Sequence, residues 1–285
     1  MSGHTDIRSS AVAVAAKAGE PDRYLAALLA PPKARDALLA LAAFSSELAR
    51  IPFAVSREPA MGAIRLQWWR DALEMPPELS TGSEIADAVR AAARLSALDG
   101  VLLEAMIEGR NALLECGPFA DDAALRTFLW QTEGAQFALA SKSVDAHTAP
   151  DLAAAHTAAG HAYGLARLLM DLPRSLSRGR VPLAQSHLAA AGGSAQDLLA
   201  GADVQAMSRL HRVCRPEIDV HLARARKLTR HLPRNARLAF LPLALVPTYV
   251  RAAERAAMAS LRMEPRVIPF VRTGRIALAH WLGRL

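Results

Sequence analysis

Apolar residues recur three or four positions apart along most of this 285-residue chain, and no stretch alternates apolar with polar residues for the length of a strand. The clearest stripe is Leu102, Leu103, Met106, Ile107, Leu113 and Leu114, which predicts a helix over 101–115 ended by Gly117-Pro118. The same spacing predicts helices over 22–29, closed by Pro31-Pro32, and over 33–50, where Leu38, Leu39, Leu41, Ala42 and Leu48 recur up to a stop near Pro52. Pro59 opens another that runs through Trp68, Trp69 and Leu73 and ends before Pro76-Pro77. Ser83, with Glu84 and Asp87 in the next turn, reads as the N-terminus of a helix to Leu98. Two long helices with acidic starts follow over 121–140 and 151–172, then a basic loop over 173–182 and shorter helices broken at Gly192-Gly193 and Gly201. Segments 204–230, 236–258 and 266–282 complete the series. The pattern predicts an all-α chain: a flexible, frayed N-terminal segment over 1–20 and a single helical domain over 21–285.

Composition agrees with that pattern. Ala and Leu dominate while β-branched residues and aromatics are scarce, so helix formers outweigh strand formers. The net charge is +7 and nearly all the positive charge is arginine, whose planar fork suits a diphosphate, an anionic lipid or an acidic partner. The charge is uneven: from Arg209 onward there are sixteen basic residues against four acidic ones. A solvated basic surface is the plainer reading of that excess. Cys116 and Cys214 stand far apart without metal spacing, which fits a reducing compartment such as the cytoplasm. The apolar run 11–16 is too short for a signal peptide. The run 238–250 contains Pro242 and Pro247 and falls short of the ~20 residues that cross a bilayer, so a soluble protein, at most peripheral at the inner membrane surface, is expected.

Glycine-rich nucleotide loops, serine-hydrolase elbows and HExxH pairs are absent from the sequence. Glu104 and Glu108 share a helix face opposite the Leu/Ile/Met stripe and are expected to face water, as are Asp71 and Glu74. Glu217 and His221 are one turn apart, but no third ligand is evident, so no metal site is expected there. Trp68-Trp69 would anchor a helix in the core or wall an apolar cavity. The most informative stretch is Gly160-His161-Ala162-Tyr163-Gly164, leading to Asp171, Arg174, Arg178 and Arg180. Glycines one turn apart let helices approach closely or leave room for a ligand, and clustered arginines suit a diphosphate. Cations closing a helix C-terminus account for the same residues equally well.

Taken in order, these segments resemble the squalene/phytoene synthase family from residue 22 to about 249. The match runs through Arg23-Tyr24, Arg35, residues 38–44, Arg65-Leu66-Gln67-Trp68-Trp69-Arg70, residues 160–171 and Arg178-Gly179-Arg180-Val181. The resemblance implies an isoprenoid-synthase helical bundle around a central apolar cavity. It also implies two aspartate-rich helices that hold Mg²⁺, which binds substrate diphosphates before two prenyl chains couple head-to-head. By that resemblance Arg167, Asp171, Arg174, Arg178 and Arg180 would bind the ligand or its diphosphate, and Phe44, Phe53, Trp68, Tyr163, Gly164 and Tyr249 would line the cavity.

The sequence departs from the family pattern at the metal. The first motif should place carboxylates on Ala49 and Phe53, and its basic residue is Ser46. In the second motif Asp171 fits, but the second aspartate falls on Ser175, the preceding arginine is Met170, and the tyrosine after Gly-Arg is Pro182. Pro173 is expected to end the helix between the two metal-binding positions. A divergent branch of the family, the assembly factors for respiratory complex I, is similar in these departures through Phe44-Ser45-Ser46-Glu47-Leu48-Ala49 and Pro173. The implied function is therefore a catalytically degenerate protein acting in binding or assembly, with an isoprenoid lipid or a protein as partner, no catalytic residue and no cofactor. The alternative is an active prenyltransferase of isoprenoid biosynthesis that uses Asp171 and Mg²⁺. A basic nucleic-acid binder is the weakest fit, because aromatics are few and no docking motif stands out.

Overall fold

The computed structural model describes residues 10–54, 58–96, 98–115, 117–145, 152–201, 203, 205–260 and 263–285. The chain opens with α1 (Ala11–Gly19), α2 (Pro21–Leu28), α3 (Pro32–Ala54), α4 (Pro59–Glu74), α5 (Glu84–Leu95) and α6 (Gly100–Asn111). It continues with α7 (Asp122–Leu129), α8 (Ala135–Val144), α9 (Ala153–Leu176), α10 (Gln185–Ala190) and α11 (Ala195–Ala200). The series closes with α12 (Ala206–Thr229), α13 (Arg234–Arg237), α14 (Val246–Ala259) and α15 (Pro269–Leu282). Among the described residues there is no strand, only an isolated bridge between Phe119 and Ala184.

Local chemistry sets many of these boundaries. Ser83 caps α5 by accepting from the Ala86 amide, Asp121 caps α7 through Ala124, and Ser194 with Asp197 forms a reciprocal capping box at α11. Gly201, at φ 66°, ends α11 in the left-handed region that a side chain disfavours.

Three expectations need correction. The opening is not frayed over residues 11–19: α1 packs along α3 so closely that a Cβ on Gly19 would collide with the Ser46 hydroxyl. Residues 1–9 lie outside the described residues. Helix α3 does end near Pro52, at Ala54, and the Pro52 carbonyl accepts from Arg180 Nη2 at 2.9 Å. Pro173 does not end α9 at once. It lies close enough to the C-terminus that one lost backbone bond is tolerated, and the Ser175 hydroxyl donates to the Asp171 carbonyl. Finally, the predicted helices over 121–140 and 236–258 are each interrupted, by a wide π turn at Trp130–Gly134 and by a tight 3₁₀ run at Leu238–Leu245.

Helix α3 contributes to two apolar clusters, one through Leu38, Leu39, Ala42 and Ala43, the other through Leu41, Phe44 and Leu48. It is long and apolar enough to cross a membrane by length and composition, yet 72% of that stretch is buried inside the bundle, which accounts for its apolarity. Phe137 packs edge-on to Tyr163 and parallel to Phe240, and burying each such ring contributes roughly 1.5–3 kcal/mol. Alanine and glycine fill the buried face of α9, so its neighbours approach closely.

Candidate functional site

The positions that the synthase pattern assigns to metal ligands come together in space. Ala49 and Phe53 from the end of α3 face Asp171 and Ser175 from the end of α9 across a cleft. The cleft has an outer cavity of about 540 Å³ and a small inner one of about 70 Å³, and Ala49, Phe53, Arg167 and Asp171 line both. Met170, Arg174 and Arg178 edge the outer cavity; Phe128, Leu129 and Gly164 edge the inner one. The outer volume is in the range of small-molecule sites, about 300–1,000 Å³, and the inner one is far below it.

Behind the cleft lies a buried ionic cluster. Arg167 Nη1 donates to both carboxylate oxygens of Glu20, at 2.7 and 2.8 Å. Arg23 spans two carboxylates, donating to Glu20 at 2.7 Å and to Glu133 at 2.6 Å, with its guanidinium over the Tyr163 ring. Burial alone would raise the Glu20 pKa, but Arg167 and Arg23 overcome it and hold the carboxyl at about 2. A second buried carboxylate, Asp22, accepts from Tyr163 Oη at 2.7 Å and from Tyr249 Oη, and Arg272 Nε of α15 lies 2.8 Å away. Burial outweighs those partners and raises the Asp22 pKa.

Asp171 opens to solvent at the cleft wall. Its surroundings still raise its pKa, because desolvation and the nearby Glu20 and Glu133 charges outweigh Arg167 and Arg174. Opposite it, the Phe53 ring takes the guanidinium groups of Arg174 and Arg178 at 5.6 and 5.2 Å from its centroid. A phenyl ring under two cations thus occupies the place of a metal-binding carboxylate.

Of the residues expected from sequence, Arg167, Asp171, Arg174, Arg178, Phe53, Tyr163, Gly164 and Tyr249 gather at the cleft. Arg180 borders the inner cavity, but its guanidinium is spent on the carbonyls of Pro52, Leu113 and Glu115 and ties three chain segments together. Phe44 and Trp68 line neither cavity. Phe44 is fully buried 5.0 Å from Trp69 in the second apolar cluster, and Trp68 packs on the outer side of Trp69 with 41% of its surface exposed. Glu104 and Glu108 do face solvent, where both bind Arg70. Sequence reasoning missed Glu20, Glu133 and Arg272. Their only signal was a charge beside apolar neighbours, as in Glu133 between Trp130 and Phe137.

A second cluster supplies the third group that the sequence did not show beside Glu217 and His221. The fold brings His161 of α9 against them, with its Nε2 donating to Glu217 Oε1 at 2.6 Å.

The fold and the cleft define a protein of the isoprenoid-synthase type. The family model for squalene/phytoene synthase matches residues 16–271, and the chain belongs to that family. Among individual proteins, it is 28% identical to bovine NADH dehydrogenase (ubiquinone) complex I, assembly factor 6, over 81% of this chain and 69% of that protein. The human counterpart is 26% identical over 81% of this chain and 69% of its own length. Among solved structures, a dehydrosqualene synthase in complex with ligand superposes with a TM-score of 0.77 at 13% identity, covering 95% of each chain. Squalene synthase HpnC from Alicyclobacillus acidocaldarius gives 0.69 at 15% identity, over 86% of this chain and 92% of that one. At those identities the two synthases establish a shared fold.

Proposed function

We propose that this chain is a catalytically degenerate member of the squalene/phytoene synthase family that acts in binding or assembly, as its complex I assembly-factor relatives are named for doing. The observation that carries this reading is the Phe53 ring clasped by Arg174 and Arg178 where a metal-binding carboxylate would stand. A magnesium cluster needs several free carboxylate oxygens. Here Glu133 is engaged by Arg23, and among the described carboxylates on the outer cavity Glu20 is held by Arg23 and Arg167 and Asp22 by Arg272, which leaves Asp171 there without a direct cation partner. The donor set does not fit Mg²⁺, and the family's ionisation step is not assigned to it.

What the cleft fits instead is an anion. Arg167, Arg174 and Arg178 converge on the outer cavity, and fixed guanidinium forks bind phosphate oxygens well. A prenyl or isoprenoid phosphate would seat its head there. With only about 70 Å³ beyond Phe53, the tail would run toward the mouth. We assign the protein to the cytoplasmic side of a membrane, held peripherally through α15. That helix exposes Phe270 and Trp281 beside Arg266, Arg275 and Arg284, the mixture that lies in an anionic lipid interface.

The test incubates the purified chain with farnesyl or geranylgeranyl diphosphate, Mg²⁺ and NADPH and follows diphosphate release. No release above a boiled control is expected. Release abolished by Asp171→Ala would overturn the reading in favour of an active head-to-head prenyltransferase.

A further inference from the structure

The cluster on the far side of α9 is separate from the cleft residues and has a different chemistry. Glu217 and His221 occupy positions i and i+4 of α12 and so share one face, the spacing at which helices present paired metal ligands. His161 reaches them from α9, and one donor atom from each of the three lies within 4.8 Å of the others. The His161 and His221 rings stack face to face, 4.0 Å between centroids and 22° apart. The other carboxylate oxygen of Glu217 accepts from His187 Nε2 of α10 at 2.8 Å. His161 and His187 are buried, whereas Glu217 and His221 are half-buried, which leaves an approach from solvent.

An ion pair explains part of this arrangement and leaves part unexplained. One carboxylate binds two imidazoles through Nε2, those of His161 and His187, although His187 Nδ1 is also buried without a partner. It does nothing for His221, whose Nδ1 is buried without a hydrogen-bond partner while its ring lies against another imidazole. Stacking two rings that way without a shared ligand gains little for either nitrogen.

We propose that His161, Glu217 and His221 bind a zinc-class divalent ion, with His187 as the hydrogen-bond partner that orients the carboxylate. Two imidazoles and one carboxylate suit Zn²⁺, with solvent completing the four-coordinate shell. Tetrahedral coordination needs donor atoms roughly 3.3 Å apart, so side-chain rotation closes the present spacing without moving the helices. The ion takes the place of the proton that His161 Nε2 donates to Glu217 Oε1, and the ring then binds it as the neutral tautomer protonated on Nδ1, so that no net proton is lost. Glu217 then gives Oε1 to the metal and keeps Oε2 on His187, the outer-shell support common to such sites. The ion would fasten α9 to α12 beside α10. It would thereby steady the helix that carries Arg167 and Asp171 to the cleft.

The experiment titrates the full chain, stripped with chelator, with Zn²⁺ alone by calorimetry, and with Co²⁺ while recording its visible spectrum and X-ray absorption. One ion per chain with two imidazole ligands is expected. His221→Ala, which leaves both Glu217 hydrogen bonds in place, should abolish saturable binding, and His187→Ala should weaken it about 10–100-fold. Failure of the wild-type chain to bind stoichiometrically overturns the proposal. So does binding that survives His221→Ala, which would assign the ion to other surface histidines. If His221→Ala does not fold, the wild-type imidazole count decides alone: two supports the site, and none or one overturns it.

Discussion

Arg167 grips both oxygens of Glu20 with a single nitrogen, joining the end of α1 to the middle of α9 across 147 residues of chain. Glu20 is 1% exposed, so its charge depends on that contact and on Arg23. Arg167→Met leaves the buried carboxylate with one arginine and the Ser45 hydroxyl and should destabilise the protein by on the order of 3 kcal/mol, read from the urea midpoint. Adding Glu20→Gln to Arg167→Met should recover part of that loss. Equal loss in the single and double variants would mean that packing of the arginine stem, rather than its charge, matters there.

The same group fixes an acid limit. Glu20 titrates at about 2 in the folded chain against 4.5 ordinarily, so its stabilisation is full above about pH 4.5 and lost as pH falls toward 2. Burial pulls His156 and His211 in the other chemical sense, from 6.5 to about 4. The unfolded chain takes up those protons first, so this stability too is full above about pH 6.5 and lost on the way down to 4. Each of the three contributes about 3 kcal/mol over its window. Thermal melts across pH should therefore decline in two stages, with His211→Leu flattening the upper and Glu20→Gln the lower.

Helix positions were largely legible from the sequence because an apolar stripe such as Leu103, Met106 and Ile107 needs nothing beyond local spacing. The cleft was legible only through resemblance, which drew Asp171, Arg174 and Phe53 to one place. The pairs that determine its chemistry were not: Glu20 with Arg167, Arg23 with Glu133 and His161 with Glu217 lie 147, 110 and 56 residues apart. Nothing periodic links such partners. Phe44 misled because a large buried ring looks the same in sequence whether it faces a ligand or another ring.

Gly160 packs so tightly that an added Cβ would fall 2.5 Å from the Gly134 nitrogen and 2.6 Å from its Cα. Those are backbone atoms that cannot rotate aside. Gly160→Ala should cost about 1–3 kcal/mol, measured by chemical denaturation. An unchanged midpoint would show that α9 can shift away from the π turn.

Anion recognition at the cleft should respond to Arg174 and Arg178. With inorganic diphosphate as the probe, Arg174→Ala and Arg178→Ala should each weaken binding roughly ten- to hundredfold, in line with about 1.5–3 kcal/mol for a hydrogen bond to a charged group. Calorimetry at fixed salt reads this directly. Unaltered affinity in both variants would remove the outer cavity as the anion site.

Membrane contact through α15 should depend on Phe270 and Trp281, which are 85% and 75% exposed. Phe270→Ser with Trp281→Ser should abolish co-sedimentation with phosphatidylserine-containing vesicles, and high salt should weaken the wild type. Salt-insensitive binding, or binding untouched by the double substitution, argues against that face.

The wide turn at Trp130–Gly134 acts as a phase shifter in what would otherwise be one rod from Asp122 to Val144. It adds one residue to a turn, and each residue of an α-helix advances the rotation by about 100°. In a regular helix Leu125, Leu129 and Phe137 would spread over about 120°; with one residue taken up by the wide turn they fall in a narrower arc, and all three reach the core. Deleting one residue here would give a more regular helix and a worse protein. With α7 held in place, the segment from Ala135 to Val144 would keep its phase; what would be lost is the wide turn itself, which brings Glu133 to Arg23 and lays Gly134 against Gly160.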